Sequence, residues 1–440
     1  MKNRVFSEFL KYSTLNILGM LGLSCYILAD TYFVQKGMGG TGLAALNLAI
    51  PVFNVVNGIG LMIGVGGATG FSISKGCNND ANGNSFFKYS VCLCILFSFV
   101  FIFAGIFLSS NIAMLLGADS DTLKMCSTYI KVILLFSPMF IFNNIMQAFV
   151  RNDSNPRLSM MAMLLGSFSN VILDYIFIFP MKMGIFGAAL ATGIAPIIGI
   201  TVTSFHFIKK KNTFTLNFKK SKIKYVFNIL SAGFSSFITE LSSAIVIIIF
   251  NLIILRLNGN IGVAAYGIIA NLSLVVISVY TGIAQGVQPL FSSYHGANDR
   301  GNNRQILKYS VLMVIIISLT IYFFIIMFAE QITSVFNSEN NLMLAQTANK
   351  GLRIYFSGCI FAGLNIILAS YFAATEKTVY SSLVSLLRGI VLIIPTAFLM
   401  SHLFLADGLW FSFCVTELIT SIIAIFMIKN KTDLIKMKSI

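Results

Sequence analysis

Four carboxyl side chains, Asp30, Asp174, Glu240 and Glu417, fall inside long apolar runs, whereas the other eleven acids fit loops, run ends or termini. A carboxylate in hydrocarbon costs roughly 2.5–3.5 kcal/mol, so such residues face an interior and usually do something there. Depth separates them. Asp30 sits about one turn inside the end of its run, and Asp174 about a turn and a half inside the end of another. Thr192 lies about two turns below the start of the next run, so at roughly 1.5 Å per residue the three share a level. Asn170 precedes Asp174 by four residues and projects from the same helix face, and Tyr26 lies one turn below Asp30. Two carboxyls, an amide oxygen and a hydroxyl at one level can hold a small hard cation such as Na+. They can equally carry a proton, because burial and like charge favour the neutral form of one acid. Asp30, Asn170, Asp174 and Thr192 are therefore the candidate cation ligands, with Tyr26 hydrogen-bonding into the cluster. The plainer reading of any buried acid is structural, a carboxyl satisfied by a hydroxyl or by Arg388, and it weighs most for Glu417.

Such groups need a scaffold that excludes water. Hydrophobic residues make up 57% of the chain and charged residues 10%, against about 25% charged in soluble domains. With a mean hydropathy of +0.86 the chain reads as an all-α, multi-span integral membrane protein surrounded by a lipid bilayer. Apolar runs of about 20 residues place twelve spans near 12–34, 45–73, 87–109, 127–150, 158–180, 184–208, 225–256, 261–292, 306–329, 347–374, 379–401 and 407–429. The first run reads as a span and not as a cleaved leader. Pro51, Pro138, Pro196, Pro289 and Pro395 fall within spans and are kink candidates. The seven cysteines contain no C-x-x-C pair and read as small core residues.

The net charge of +15 is unevenly placed. Lys2, Arg4, Lys11, Lys75, Lys88, Arg151, Arg157, a cluster over 209–224, Arg300, Arg304, Lys308, Lys377 and the tail lysines fall on one side of this threading. The other side holds Lys36, Lys124, Lys131, Lys182, Arg256, Lys350 and Arg353. By the positive-inside rule both termini are cytoplasmic, as expected in a plasma membrane, and the basic balance signals topology and not nucleic-acid binding.

Shifting the chain against itself by 220 residues superposes Gly42, Ala44 and Ala45 on Gly262, Ala264 and Ala265. Gly66 meets Gly286, Phe71-Ser72 meets Phe291-Ser292, Gly76 meets Gly296, Asn78 meets Asn298, and Lys88-Tyr89-Ser90-Val91 meets Lys308-Tyr309-Ser310-Val311. A basic linker at 209–224 thus separates a six-helix lobe at 1–208 from another at 225–440. Six is even, so the repeats run parallel about an axis along the membrane normal. Halves duplicated in this way mark a secondary transporter working by alternating access around a central cavity.

The segment Ala29-Asp30-Thr31, then Gly42-Leu43-Ala44-Ala45-Leu46 and Leu48-Ala49-Ile50-Pro51, resembles the opening of the multidrug and toxic compound extrusion family. More specific are Arg151-Asn152-Asp153-Ser154-Asn155-Pro156-Arg157, Asn170-Val171-Ile172-Leu173-Asp174, and Gly184-Ile185-Phe186-Gly187-Ala188-Ala189-Leu190-Ala191-Thr192. This succession is similar to the loop 4–5, helix 5 and helix 6 region of that family, and the resemblance covers nearly the whole chain. It implies a two-lobed, twelve-helix antiporter, not an enzyme, that exports organic, often cationic, compounds in exchange for Na+ or H+ and needs no other cofactor. In the branch related to the DNA-damage-inducible and archaeal members it implies an N-lobe coupling site, here at Asp30, Asn170, Asp174 and Thr192 with Tyr26 nearby. The other main branch places acids on helices 7 and 10; Glu240 matches the first, but helix 10 carries Asn365. Some N-lobe members bend helix 1 at a proline, which this helix 1 does not have.

For a central substrate cavity the polar candidates are Asn143, Asn144, Gln147, Glu240, Gln285, Gln288 and Asn365. A cationic substrate drawn to Asp30 and Asp174 would compete with the coupling ion, and that competition is itself a mechanism of exchange. The chain is expected to act as a monomer. A lipid-linked oligosaccharide flippase of the wider superfamily shares the duplicated bundle, but it calls for cationic residues within the spans, where only Arg388 qualifies. A prenyltransferase needs D-D-x-x-D and an ATP-driven pump needs G-x-x-x-x-G-K-[ST]; the sequence has neither.

Overall fold

The computed structural model describes residues 2–216, 222–337 and 341–437, and among them every regular element is helical. The first half comprises α1 (Lys2–Gly76), α2 (Asp80–Phe107), α3 (Ser109–Leu115), α4 (Leu123–Leu135), α5 (Ser137–Asn152), α6 (Pro156–Ile178) and α7 (Gly184–Ile208). The second comprises α8 (Lys224–Gly296), α9 (Arg300–Phe336), α10 (Leu342–Tyr355), α11 (Cys359–Ala374), α12 (Thr378–Leu386) and α13 (Ile393–Met437). A 3₁₀ turn at Phe356–Gly358 joins α10 to α11, and a π turn at Leu387–Val391 joins α12 to α13.

α1 and α8, at 75 and 73 residues, are far longer than any bilayer requires. Each breaks once in its middle, at Gly39 (φ 68°) and Gly259 (φ 62°). Neither glycine has any atom near the place a Cβ would take, so what each contributes is the left-handed backbone that L side chains avoid. Each pair of spans is thereby joined by a single reversing residue in place of a loop, and the two reversals stand at the repeat offset. α13 breaks likewise at Phe404 and Leu405. Among the described residues eight helices are long and apolar enough to cross a membrane; three of them break in the middle into two spans, and α4 with α5, bent by 48°, supplies one more. Twelve crossings result, in two six-helix bundles.

The repeat persists in fine detail. Asn78 and Asn298 both adopt φ 54°, and the residues that follow, Asn79 and Asp299, cap α2 and α9 by accepting from the backbone N–H groups of Asn82 and Asn302. Of the prolines, Pro138 sits in the first turn of α5, next to the 48° bend. Pro51, Pro196 and Pro289 are accommodated inside unbroken stretches of helix.

The face that carries both termini also anchors the start of the linker. Phe214 is fully buried among Phe71, Phe87, Phe149 and Phe207. Asp153 accepts from the Thr213 backbone N–H (2.7 Å), from Lys75 (2.6 Å) and from His206 (2.9 Å). Burial works against its charge, yet these hydrogen bonds outweigh that cost and hold its carboxyl down at about 2. Of the basic linker expected at 209–224, residues 217–221 lie outside the described residues.

Candidate functional site

Four of the five residues of the expected cation site meet inside the first half, and the fifth, Tyr26, stands near them without the hydrogen bond expected of it. Asp30 comes from α1, Asn170 and Asp174 from one face of α6, and Thr192 from α7; Asp30 and Thr192 are buried, and Asn170 and Asp174 fully so. The Asp30 and Asp174 carboxyls meet within hydrogen-bonding range of each other. Oriented so that both its amide atoms are satisfied, Asn170 donates to Asp174 Oδ2 (3.0 Å) and accepts from the Thr192 backbone N–H (3.2 Å). The Thr192 hydroxyl donates to the Ala188 carbonyl (3.0 Å). Tyr26 lies close enough to feel the charge of both acids.

Asp30 Oδ1 and Asp174 Oδ1 are sealed from solvent without a protein partner. Buried carboxylate oxygens without a donor are expensive, and two acids in contact repel if both are ionised. A proton or a small cation shared between them would relieve both costs. The Asn170 amide, expected as a ligand, is instead engaged with Asp174 and the Thr192 backbone; the carboxyl and hydroxyl oxygens left over suit a proton or a small hard cation and no softer metal. Among the described residues no group of three or more His, Cys, Asp or Glu side chains could hold a metal ion, so any ion here relies on these two acids and neutral oxygens.

A profile of the MatE family matches residues 16–176 and again 235–399, one copy in each half. The chain belongs to the MatE family. Among its relatives are the multidrug export protein MepA of Staphylococcus saprophyticus, 26% identical over 429 residues, and that of Staphylococcus aureus, 25% identical over 429 residues; each alignment covers 97% of this chain and 94% of the relative. Among solved structures it superposes on a multidrug resistance MATE transporter of the MOP superfamily in an outward-facing conformation, with a TM-score of 0.91 at 21% identity, covering 98% of this chain and 96% of that one. It also matches MATE in the bent conformation with a TM-score of 0.88 at 21% identity, covering 99% and 97%. These structures share its fold.

The expected cavity residues of this MatE protein separate into three groups. Asn143, Asn144 and Gln147 on α5 are half-buried in the first half, where Asn144 donates to Asn57 (3.0 Å) and Gln147 to Asn143 (3.0 Å). Glu240, half-buried on α8, hydrogen-bonds Asn57 and lies near Tyr26, so Asn57 connects a carboxyl of the second half to the polar groups of the first. Gln285 and Gln288 depart from expectation, because both are consumed in contacts between the halves. Gln285 accepts from Arg151 (3.1 Å), which also donates to Asn16 (3.1 Å). Gln288 accepts from Asn152 (3.1 Å) and donates to Thr69 (2.8 Å).

Asn365 departs too. It is fully buried within the second half and donates to Glu417 Oε2 (2.7 Å), while Glu417 pairs with Arg388 (2.7 Å). The long amide side chains looked like cavity groups because sequence gives depth but not azimuth, and an inward residue can point at the partner half as readily as at a cavity.

Three residues of the MatE site escaped the sequence reading. Tyr129 of α4 is buried, hydrogen-bonds Thr192 and lies near Asp30. Asn57 is an amide inside the second span, and its depth was the available signal. Arg151 was read as a loop cation and as part of the loop 4–5 motif, yet its side chain is buried between the halves.

Proposed function

We propose that this MatE protein is a secondary multidrug efflux antiporter, exporting organic, often cationic, compounds in exchange for Na+ or H+. The coupling ion binds at Asp30 and Asp174, with Asn170, Thr192 and Tyr26 completing the cluster. The observation that carries the reading is the meeting of two buried carboxyls whose Oδ1 atoms have no protein donor. Such a pair is stable with a positive ion or a shared proton between its members and unstable without one. A cationic substrate reaching it would compete for the same charge, so loading one expels the other. The halves are joined by residues of α1, α5 and α8 at the face that carries the termini. With both termini cytoplasmic in the plasma membrane, as the lysine and arginine distribution favours, that seal closes the cytoplasmic side. One chain supplies the whole site, so the protein works as a monomer.

The test is transport in reconstituted vesicles with Na+ and pH gradients imposed separately, followed with a fluorescent organic cation. Exchange predicts dye movement against an opposing gradient of one of the two ions, stopped when that gradient is dissipated. Dye movement indifferent to both gradients would overturn the reading.

A further inference from the structure

The second half contains its own buried carboxyl cluster, and it differs from the first in one respect. Glu417 accepts from Arg388 Nη2 (2.7 Å) and Nε (3.1 Å) on Oε1 and from Asn365 (2.7 Å) on Oε2, and Ser421 donates to Asn365 Oδ1 (3.0 Å). The Arg388 and Glu417 side chains are 11% and 3% exposed. Each half thus assembles a buried acid, an asparagine and a hydroxyl from neighbouring helices. In the first half a second acid completes the set; in the second, a guanidinium does.

That guanidinium is placed by a specific backbone feature. Pro395 has no N–H and its ring crowds the carbonyl of Val391, four residues earlier. The helix answers with the π turn Leu387–Val391, closed by a bond from the Leu392 N–H to the Leu387 carbonyl (2.9 Å). Arg388 rides on that turn. Next to it, Gly389 lets the turn approach α8 so closely that a Cβ there would fall 2.1 Å from the Ser242 hydroxyl.

The geometry points to Arg388 as a tethered counter-ion that satisfies Glu417 permanently, at repeat positions other than those of Asp30 and Asp174, whose counterparts at the 220-residue offset are Phe250 and Ile394. Coupling is thereby confined to one site per chain, and removing Arg388 opens Glu417 to a monovalent cation, either a proton or Na+. This rests on the reading of Asp30 and Asp174 as the coupling acids. Besides Arg388 and Glu417, the ionisable groups that sense this pair are Tyr355 of α10 and Cys414 of α13.

The experiment uses the full chain with Asp30→Asn and Asp174→Asn, so that the first-half site is silent. The midpoint of thermal unfolding is followed as Na+ replaces choline at fixed pH, and as pH is varied at fixed Na+. Adding Arg388→Ala should create a dependence of roughly 2 °C on one of the two ions, and adding Glu417→Gln should abolish it. A folded Arg388→Ala protein with neither dependence overturns the proposal. A Na+ dependence already present before Arg388 is changed places the fault with the first-half reading instead, and the pH arm is scored as the change that Arg388→Ala adds to the parent's own pH profile, to which Asp153 contributes. Should Arg388→Ala fail to fold, the pair Arg388→Met with Glu417→Leu decides, since well-packed apolar replacements of buried ion pairs are commonly tolerated. That double variant, in an otherwise unaltered chain, should keep the ion-to-substrate ratio of the parent. A changed ratio in the folded double variant overturns the proposal.

Discussion

Asn152, at the end of α5 in the first half, donates to Gln288 of α8 in the second (3.1 Å), and Gln288 in turn donates to Thr69 of α1 (2.8 Å). Two buried amides thus bridge the halves on the face that carries the termini. Releasing them is part of any opening on that side. Gln288→Ala removes contacts worth about 1 kcal/mol each, enough to shift a two-state equilibrium roughly fivefold per bond. A cysteine at Ser292, fully buried beside Gln288, should react faster with a membrane-impermeant thiol reagent applied from that face when Gln288 is replaced. An unchanged rate would show that this bridge does not hold the seal.

The same seal depends on backbone contact. A Cβ on Gly66 would fall 2.0 Å from the Ile229 carbonyl, and one on Gly233 would fall 1.8 Å from the Met62 carbonyl. No side chain can yield there, because the obstacles are backbone atoms. Gly233→Val should therefore hold the halves apart on this face and abolish export while leaving a membrane-inserted protein. Paired spin labels on the ends of α1 and α8 provide the check, with a lengthened distance in the variant expected.

Asp153 fixes the start of the linker to the first half through Lys75, His206 and Thr213. Its carboxyl is held at about 2, below the ordinary value of 3.8. A depressed acid stabilises the fold above its unfolded value and loses that contribution as pH falls through the folded one. Stability from Asp153 is thus complete above about pH 4 and lost between roughly pH 4 and pH 2. Asp153→Asn should cost on the order of 2–3 kcal/mol at neutral pH by stranding its partners. It should also flatten the acid limb of the thermal stability profile measured in detergent.

Glu240 stands apart from the two acids of the first half and reaches Asn57 across the interface between the halves. Glu240→Gln keeps the hydrogen bond but removes a charge that a cationic substrate would meet. The expected outcome is a raised KM for organic cations, by about tenfold for one lost ionic contact, with the dependence on the driving gradient retained.

Much of this was legible in the residues. Twelve spans followed from hydropathy, and the 220-residue repeat places Gly39 opposite Gly259 and Asn78 opposite Asn298, which share backbone geometry as well as spacing. The cluster at Asp30 and Asp174 was legible because charge in a span is costly, so its depth carries information. The destinations of Gln285, Gln288 and Asn365 were not, because the long-range partners that hold them lie 52 to 219 residues away and only the packed helices bring them together. Arg388 was readable as a partner for Glu417, but the π turn that delivers it was not.

The central claim is that Asp30 and Asp174 carry the coupling ion, and single neutralisation tests it most directly. Asp30→Asn and Asp174→Asn are reconstituted separately, and dye export driven by an imposed Na+ or pH gradient is measured alongside equilibrium dye binding. At least a tenfold loss of driven export is expected from each, in protein that remains folded and inserted. Wild-type driven export by both variants would contradict the account.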